Sequence, residues 1–338
     1  MSHQPSHTSP SCASASLEPA DLALSIFFFC LFPIALLLNA VAAWVSWHLR
    51  STSTFVVYLK NLVAADLLMT LTLPLMAASL LPGVAVDLRV FACRYSDVVF
   101  FTSLYTSIAL MGLISLDRFF KVVRPFGRVM GQSVMFSVIM STLVWVGLFG
   151  STTIPTMILT DHDPANTSDQ FCMSLKSASG RHFHMIVVLS MDSLFWLVCI
   201  LVVFCYICIT LKVLQSFRNS GSSNSQGKKK TTLRVFLIIL VFLVCFLPLH
   251  LIRIPYTLKE IFFSGICLGP WLKIAHKLSL WISTTNACMD PVLYIYLCKE
   301  YRDKLVHLLK SRGVYIRQGS SDCSSSASVV APSRSAKN

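Results

Sequence analysis

The stretch Phe242–Tyr256, FLVCFLPLHLIRIPY, decides how this chain is read. It closes an apolar run that begins near Val235 and is long enough to cross a bilayer. Pro248 stands inside it. A proline in a helix interior removes a backbone hydrogen bond and kinks the rod. Phe242, Cys245 and Phe246 lie on one side of the kink. On the other side, His250, Arg253 and Tyr256 are spaced i, i+3, i+6 and share one helix face. A guanidinium in a membrane span is costly unless it faces a water-filled cavity or a partner. Two readings are open. The rod presents a cationic, aromatic face to a cavity, or Arg253 stretches its stem to the headgroups.

Composition extends the membrane reading to the whole chain. Of 338 residues, 55% are hydrophobic and only 13% charged, about half the charge of a soluble domain. The N-terminal residues lack the basic segment of a signal peptide, and the first apolar run is too long for one, so the first span is expected to target and anchor together. The net charge of +13 is not spread as on a nucleic-acid binder. Lys and Arg concentrate in alternate loops and the tail, which sets orientation. The segment before Leu22 has neither residue and is placed outside, leaving the C-terminus in the cytoplasm.

The expected fold is an all-α membrane protein, a bundle of seven transmembrane helices followed by an amphipathic helix on the inner membrane surface. Residues 1–21 form an outer segment, 22–297 the membrane domain, 298–312 the amphipathic helix and 313–338 a disordered cytoplasmic tail. The spans fall at about Leu22–Trp47, Phe55–Leu81, Ala92–Val123, Val134–Leu159, His184–Phe217, the opening stretch and Pro270–Leu297. Residues 82–91, 160–181 and 219–232 read as loops, the last a Ser/Gly-rich linker ending in three lysines. In KEYRDKLVHLLK, residues 299–310, Leu305, Leu308 and Leu309 supply one apolar face.

Polar residues inside the spans carry the chemistry. Asp66 at membrane depth marks a functional site or a hydrogen bond to a neighbouring helix. Asp117-Arg118-Phe119 ends the third span, either as a switch in which Arg118 holds Asp117 in one state only, or as a surface salt bridge. Six cysteines lie within apolar spans. Cys12, Cys93, Cys172 and Cys267 lie outside, where oxidation is permitted, and allow three pairings. No Cys/His spacing suggests a metal. Asn166-Thr167-Ser168 is a glycosylation acceptor. Cys298 and Cys323 are palmitoylation candidates by position.

In order along the chain stand Asn39, the LVAAD run ending at Asp66, Cys93 with Cys172, Asp117-Arg118-Phe119, Trp145, Phe242-x-x-Cys245-x-x-Pro248 and Asp290-Pro291-x-x-Tyr294. With this constellation the chain resembles the rhodopsin-like (class A) G-protein-coupled receptors over nearly its full length. LISLDRFFKVVRPF, SLKSASGRHFH, CFLPLHLIRIPYT and TTNACMDPVLYIYLCK narrow the resemblance. They are similar to the purinergic nucleotide receptors, in the branch that answers ADP or UDP-sugars and couples to inhibitory G proteins.

The resemblance implies disulfides Cys93–Cys172 and Cys12–Cys267. It implies a ligand site of Arg253, His250, Tyr256, Lys176, His184, Tyr105, Phe101, His276 and Lys277, in which Arg253 supplies a planar fork for phosphate and Phe101 and Tyr105 bound the base. The branch usually has a lysine and then an acid where this chain has His276 and Lys277, with Lys277 left to compensate. It implies a switch through Asp117, Arg118, Phe119, Tyr206, Phe242, Phe246, Pro248, Asp290, Pro291 and Tyr294, and a sodium pocket of Asp66, Ser107, Asn286 and Asp290. Two carboxylates at low dielectric need a cation or a proton, so an allosteric Na+ and a shared proton both stand. There is otherwise no cofactor.

The function this implies is a plasma-membrane receptor for an extracellular nucleotide, ADP foremost, that lowers cAMP through an inhibitory G protein. Arrestin and membrane lipids are further expected partners, and nucleic acid is not. The alternatives are a receptor for a UDP-sugar or lysophospholipid, and an ion-coupled transporter using Asp66 and Asp290. Without a nucleophile–base pair, metal cluster or glycine-rich phosphate loop, an enzyme is not expected.

Overall fold

The computed structural model of the protein describes residues 18–50, 53–123, 133–160, 171–219, 225–262 and 270–311. Cys12, Asn166, Cys267 and Cys323 lie outside the described residues. Helices α1 (Glu18–Trp47) and α2 (Thr54–Ser79) are followed by α3 (Val86–Phe91), which runs through a π-helical turn, Ala92–Ser96, into α4 (Asp97–Val123). Helix α5 (Val134–Leu148) passes through a second π turn, Phe149–Thr153, into α6 (Ile154–Ile158). The short α7 (Phe171–Ser174), the long α8 (Ala178–Asn219) and α9 (Ser225–Phe262), then α10 (Pro270–Thr284), α11 (Asn286–Leu297) and α12 (Lys299–Ser311) complete the order, and no strand occurs among the described residues.

Among the described residues, six helical stretches are long and apolar enough to cross a membrane: Pro19–His48, Thr54–Ser79, Val86–Val123, Val134–Ile158, Ala178–Ser216 and Phe236–Lys259. The seventh crossing is α10 and α11 together, end to end at Thr285. Burial identifies the solvent as lipid. Leu37, Leu197 and Ile200 are each about two-thirds exposed, while Asn39, Asp66, Ser107 and Asn286 are fully buried. Water would demand the reverse. A bilayer demands only that every backbone group be satisfied internally, which a helix does by construction.

Prolines and glycines place the joints. Pro291 has no N–H, so the carbonyl of Ala287, four residues back, loses its helical donor. Asn39 fills the gap: its Nδ2 donates to Ala287 O at 2.7 Å and to Ala35 O at 3.0 Å, tying α1 to α11. Trp145 Nε1 ties α5 to α2 through Asn61 Oδ1 at 3.0 Å. Helix α8 contains no proline in its 42 residues and crosses α4 closely at Gly112. A Cβ there would stand 3.0 Å from Val198 Cγ1. Gly83, at φ +73°, makes the turn from α2 to α3, a conformation that favours glycine.

Three expected loops are partly helical. Residues 86–91 continue outward from α4, α7 and the start of α8 lie within 160–181, and α9 begins at Ser225 inside the expected linker. Beyond Gly227 that linker has no helix breaker, so the helix of the apolar run propagates backward through it. The amphipathic segment forms α12. Its Tyr301 and Leu308 are buried and Leu305 partly buried in a cluster with Val45, Leu59, Leu62 and Tyr294, so the apolar stripe joins the bundle.

Candidate functional site

At one end of the bundle, Arg253 of α9 packs against α4. The side chain is 6% exposed. Its Nη1 donates to the Tyr105 hydroxyl at 3.0 Å, and its Cζ lies 4.1 Å from the Phe101 ring centroid and 5.5 Å from that of Tyr105. Arg253 is thus held by two aromatic side chains one turn apart on α4 and does not reach to headgroups. His250, one turn deeper on α9, stacks on Phe195 of α8 at 3.7 Å and meets the edge of Tyr105 at 5.5 Å.

The remaining expected ligand residues make contacts of their own. Tyr256 and His276 stack on each other at 4.1 Å and 7°, joining α9 to α10. Lys277 forms an ion pair with Asp21 of α1, so it does not stand simply as a replacement cation for phosphate. Lys176, 5% exposed, donates to Thr160 Oγ1 at 3.1 Å. His184 lies within the electrostatic reach of both Lys176 and Arg253.

The disulfide Cys93–Cys172 forms and ties the segment carrying Lys176 to the π turn before α4. Asp97 lies near Cys172. With both sulfurs in the S–S bond, this trio lacks the thiolates that a metal ion would need.

One residue of this end escaped the expected site. Asp192 of α8 is 2% exposed. Its Oδ2 accepts from Trp196 Nε1 at 2.9 Å, and it lies within electrostatic reach of Arg253 and Tyr105. An acid within an apolar span was itself the signal, but no motif residue stands beside it.

Midway through the bundle, Asp66 accepts from Ser107 Oγ at 2.8 Å and from the Tyr294 hydroxyl at 3.2 Å. Asp290 accepts from Asn286 Nδ2 at 2.8 Å. Helices α2, α4 and α11 thereby bring together all four residues expected of a cation pocket. Pro248 lies in α9 above Phe246 and Phe242. The Phe242 and Phe246 rings meet edge to face at 5.2 Å, and Phe242 also stacks with Phe195 at 6.0 Å.

At the opposite end Asp117 and Arg118 do not pair. Asp117 accepts from Thr54 Oγ1 at 2.5 Å and from Lys121 Nζ at 2.8 Å, and Lys121 also donates to Thr54 at 2.6 Å. The i, i+4 geometry puts Lys121 on the face of Asp117, whereas the next residue, Arg118, points about 100° away. Arg118 lies over the Phe55 ring at 4.1 Å and lines a cavity of about 210 Å³ with Tyr206, Phe242, Asn286, Asp290 and Tyr294. Phe119 packs near Phe204. Cys298 is buried at the junction of α11 and α12 and is not presented at the membrane surface. Burial raises its thiol pKa above the ordinary value, and raises that of Tyr301 to about 12.

The chain agrees with known proteins over this same extent. The family model described as "7 transmembrane receptor (rhodopsin family)" matches residues 38–294. Purinoceptor 13 of Homo sapiens is 38% identical over 286 residues, 84% of this chain and 80% of that protein. Purinoceptor 14 of Bos taurus is 35% identical over 296 residues, 87% of each chain. G-protein coupled receptor 87 of Mus musculus is 35% identical over 83% of this chain and 78% of that protein. The chain belongs to the rhodopsin family of seven-transmembrane receptors, among its purinergic members. It is a multi-pass membrane receptor and not an enzyme.

Proposed function

We propose that this rhodopsin-family receptor answers an extracellular nucleotide, ADP, and lowers cAMP through an inhibitory G protein. The observation that carries the reading is Arg253, buried and braced by Tyr105 and Phe101 in a chain whose relatives are named purinoceptors. The guanidinium has five donors in a planar fork. With one spent on Tyr105, others remain for a diphosphate, and the aromatic walls suit a base. Charge-assisted bonds contribute roughly 1.5–3 kcal/mol each. Two or three of them with base burial reach the ~8 kcal/mol of a micromolar ligand.

The Arg253 end faces outward and the Arg118 end inward in this reading. Ligand contact with Arg253, His250 and Tyr256 biases α9 about Pro248. Phe242 and Phe246 repack, and the inner half of α9 moves away from the cavity that Arg118 lines, which admits the G protein. Asp66 and Asp290 hold either a sodium ion or a shared proton that favours the resting arrangement. An agonist acts only through its difference in affinity for the two arrangements.

The test is inhibition of cAMP in cells expressing the receptor, with ADP, UDP, UDP-glucose and lysophosphatidic acid as ligands and surface expression checked. A response to ADP that R253A abolishes supports the reading. A response to UDP-glucose alone transfers it to a sugar nucleotide. A response to the lipid alone, or silence to every nucleotide at normal surface expression, overturns it.

A further inference from the structure

Two buried acceptor atoms in the Arg253 end have no hydrogen-bond partner among the described residues. Asp192 Oδ1 is one. Its sister oxygen is occupied by Trp196 Nε1, which fixes the carboxylate plane. The other is His250 Nε2. His250 Nδ1 lies 2.8 Å from the Phe246 carbonyl. A carbonyl only accepts, so Nδ1 carries the proton and Nε2 of the neutral ring is a bare acceptor. The side chains are 2% and 1% exposed. Buried polar atoms ordinarily find a partner, and each one left bare costs about 1–3 kcal/mol.

Phe195, the ring on which His250 stacks, is three residues and so about one helical turn beyond Asp192. Tyr105 meets the edge of His250 and bonds Arg253. His250 thus offers one bare acceptor between Phe195 and Tyr105, and Asp192 offers another one turn before Phe195 on α8.

We propose that Asp192 and His250 form a donor-selective subsite that receives the exocyclic amino group of a nucleobase. This deepens the nucleotide reading and rests on it. An amino group offers two N–H donors to two acceptors. A carbonyl at the same place sets lone pair against lone pair and leaves three buried acceptors unpaired. A site built to hydrogen-bond a donor rejects the analogue that lacks it far more strongly than an apolar pocket rejects an extra methylene. Adenine and cytosine meet the requirement, whereas hypoxanthine and uracil present a carbonyl at the corresponding carbon.

Two pairs of diphosphates isolate the group: ADP against IDP and CDP against UDP, which differ mainly by amino for carbonyl at one ring carbon. Potencies are read as concentration–response curves for cAMP inhibition at matched surface expression. The wild type is expected to favour the amino member of each active pair by at least about tenfold. D192N replaces one carboxylate oxygen by a donor while keeping its shape, and is expected to erase or invert the preference while leaving IDP as potent or more so. H250F keeps the stack on Phe195 and removes the acceptor, and is expected to reduce the ratio by roughly three- to tenfold.

A variant lost from the surface is replaced by the other, so either one decides. Active nucleotides with the same ADP-to-IDP ratio in wild type and variant overturn the subsite alone. Silence to all four diphosphates in a wild type present at the surface overturns the nucleotide reading and the subsite with it.

Discussion

Replacing Arg253 by lysine keeps the charge and removes the fork, so it separates two explanations of the ligand site. In the structure the guanidinium makes a 3.0 Å bond to the Tyr105 hydroxyl and lies 4.1 Å over Phe101. An ammonium has no plane to lay on Phe101 and no second nitrogen with which to bind phosphate while holding Tyr105. Losing one of two charge-assisted contacts to the ligand costs about 1.5–3 kcal/mol, or about 10- to 150-fold in affinity. Ordering the more mobile stem on binding adds about 0.5–1.5 kcal/mol. The expected shift of the ADP concentration–response curve for R253K is therefore on the order of 100-fold, with surface expression unchanged.

Y105F, which removes the hydroxyl that positions the fork, is expected to shift the curve by roughly three- to tenfold. Because Tyr105 acts through Arg253, the double variant should resemble R253K alone. A shift for R253K within about threefold of wild type, or full additivity with Y105F, refutes the idea that the braced fork, and not the charge, recognises the ligand.

Three further outcomes follow from other contacts. D21N removes the carboxylate paired with Lys277. Both groups are partly exposed, so the pair is worth about 0.2–1 kcal/mol. Potency for an anionic agonist should rise up to about fivefold in nucleotide-exchange assays on membranes, by less at high salt; unchanged potency at every ionic strength would deny that Lys277 reaches the ligand. G112A puts a methyl against Val198 and should cost about 1–3 kcal/mol, seen as a lower melting temperature in detergent, with V198A in the same chain restoring much of it. At Cys298, burial favours the neutral thiol, and only the thiolate is nucleophilic. In the folded receptor its alkylation by iodoacetamide should be slow at about pH 7.5 and accelerate as pH rises past the ordinary thiol range. Labelling at neutral pH as fast as in denatured chain would contradict the buried junction.

The membrane-spanning architecture is legible in the residues because it follows from local quantities. Long apolar runs, the kink proline at Pro248 and the loop charges need no knowledge of neighbours. Asn39, Asp66, Trp145 and Asp290 are legible as sites for the same reason: a polar group in an apolar run must find a partner somewhere. Helical ends were less legible. Val86–Phe91 and the start of α9 carry polar residues that suit a loop but also extend a helix already nucleated beside them.

Which partner each polar group finds is a matter of three dimensions. A seven-span bundle, a proline within the sixth span, and the family to which the chain belongs can all be read along the chain. Packing alone settles that Asp117 bonds Thr54 and Lys121 instead of Arg118, and that Lys277 is held by Asp21. Packing also lets Asn39 supply the donor that Pro291 withholds, and stacks His250 of α9 on Phe195 of α8. The difference is one of range. Helix formation and membrane insertion depend on residues within a few turns, whereas a buried hydrogen bond is satisfied only within about 3 Å, and which atoms come that close is settled by how separate helices pack.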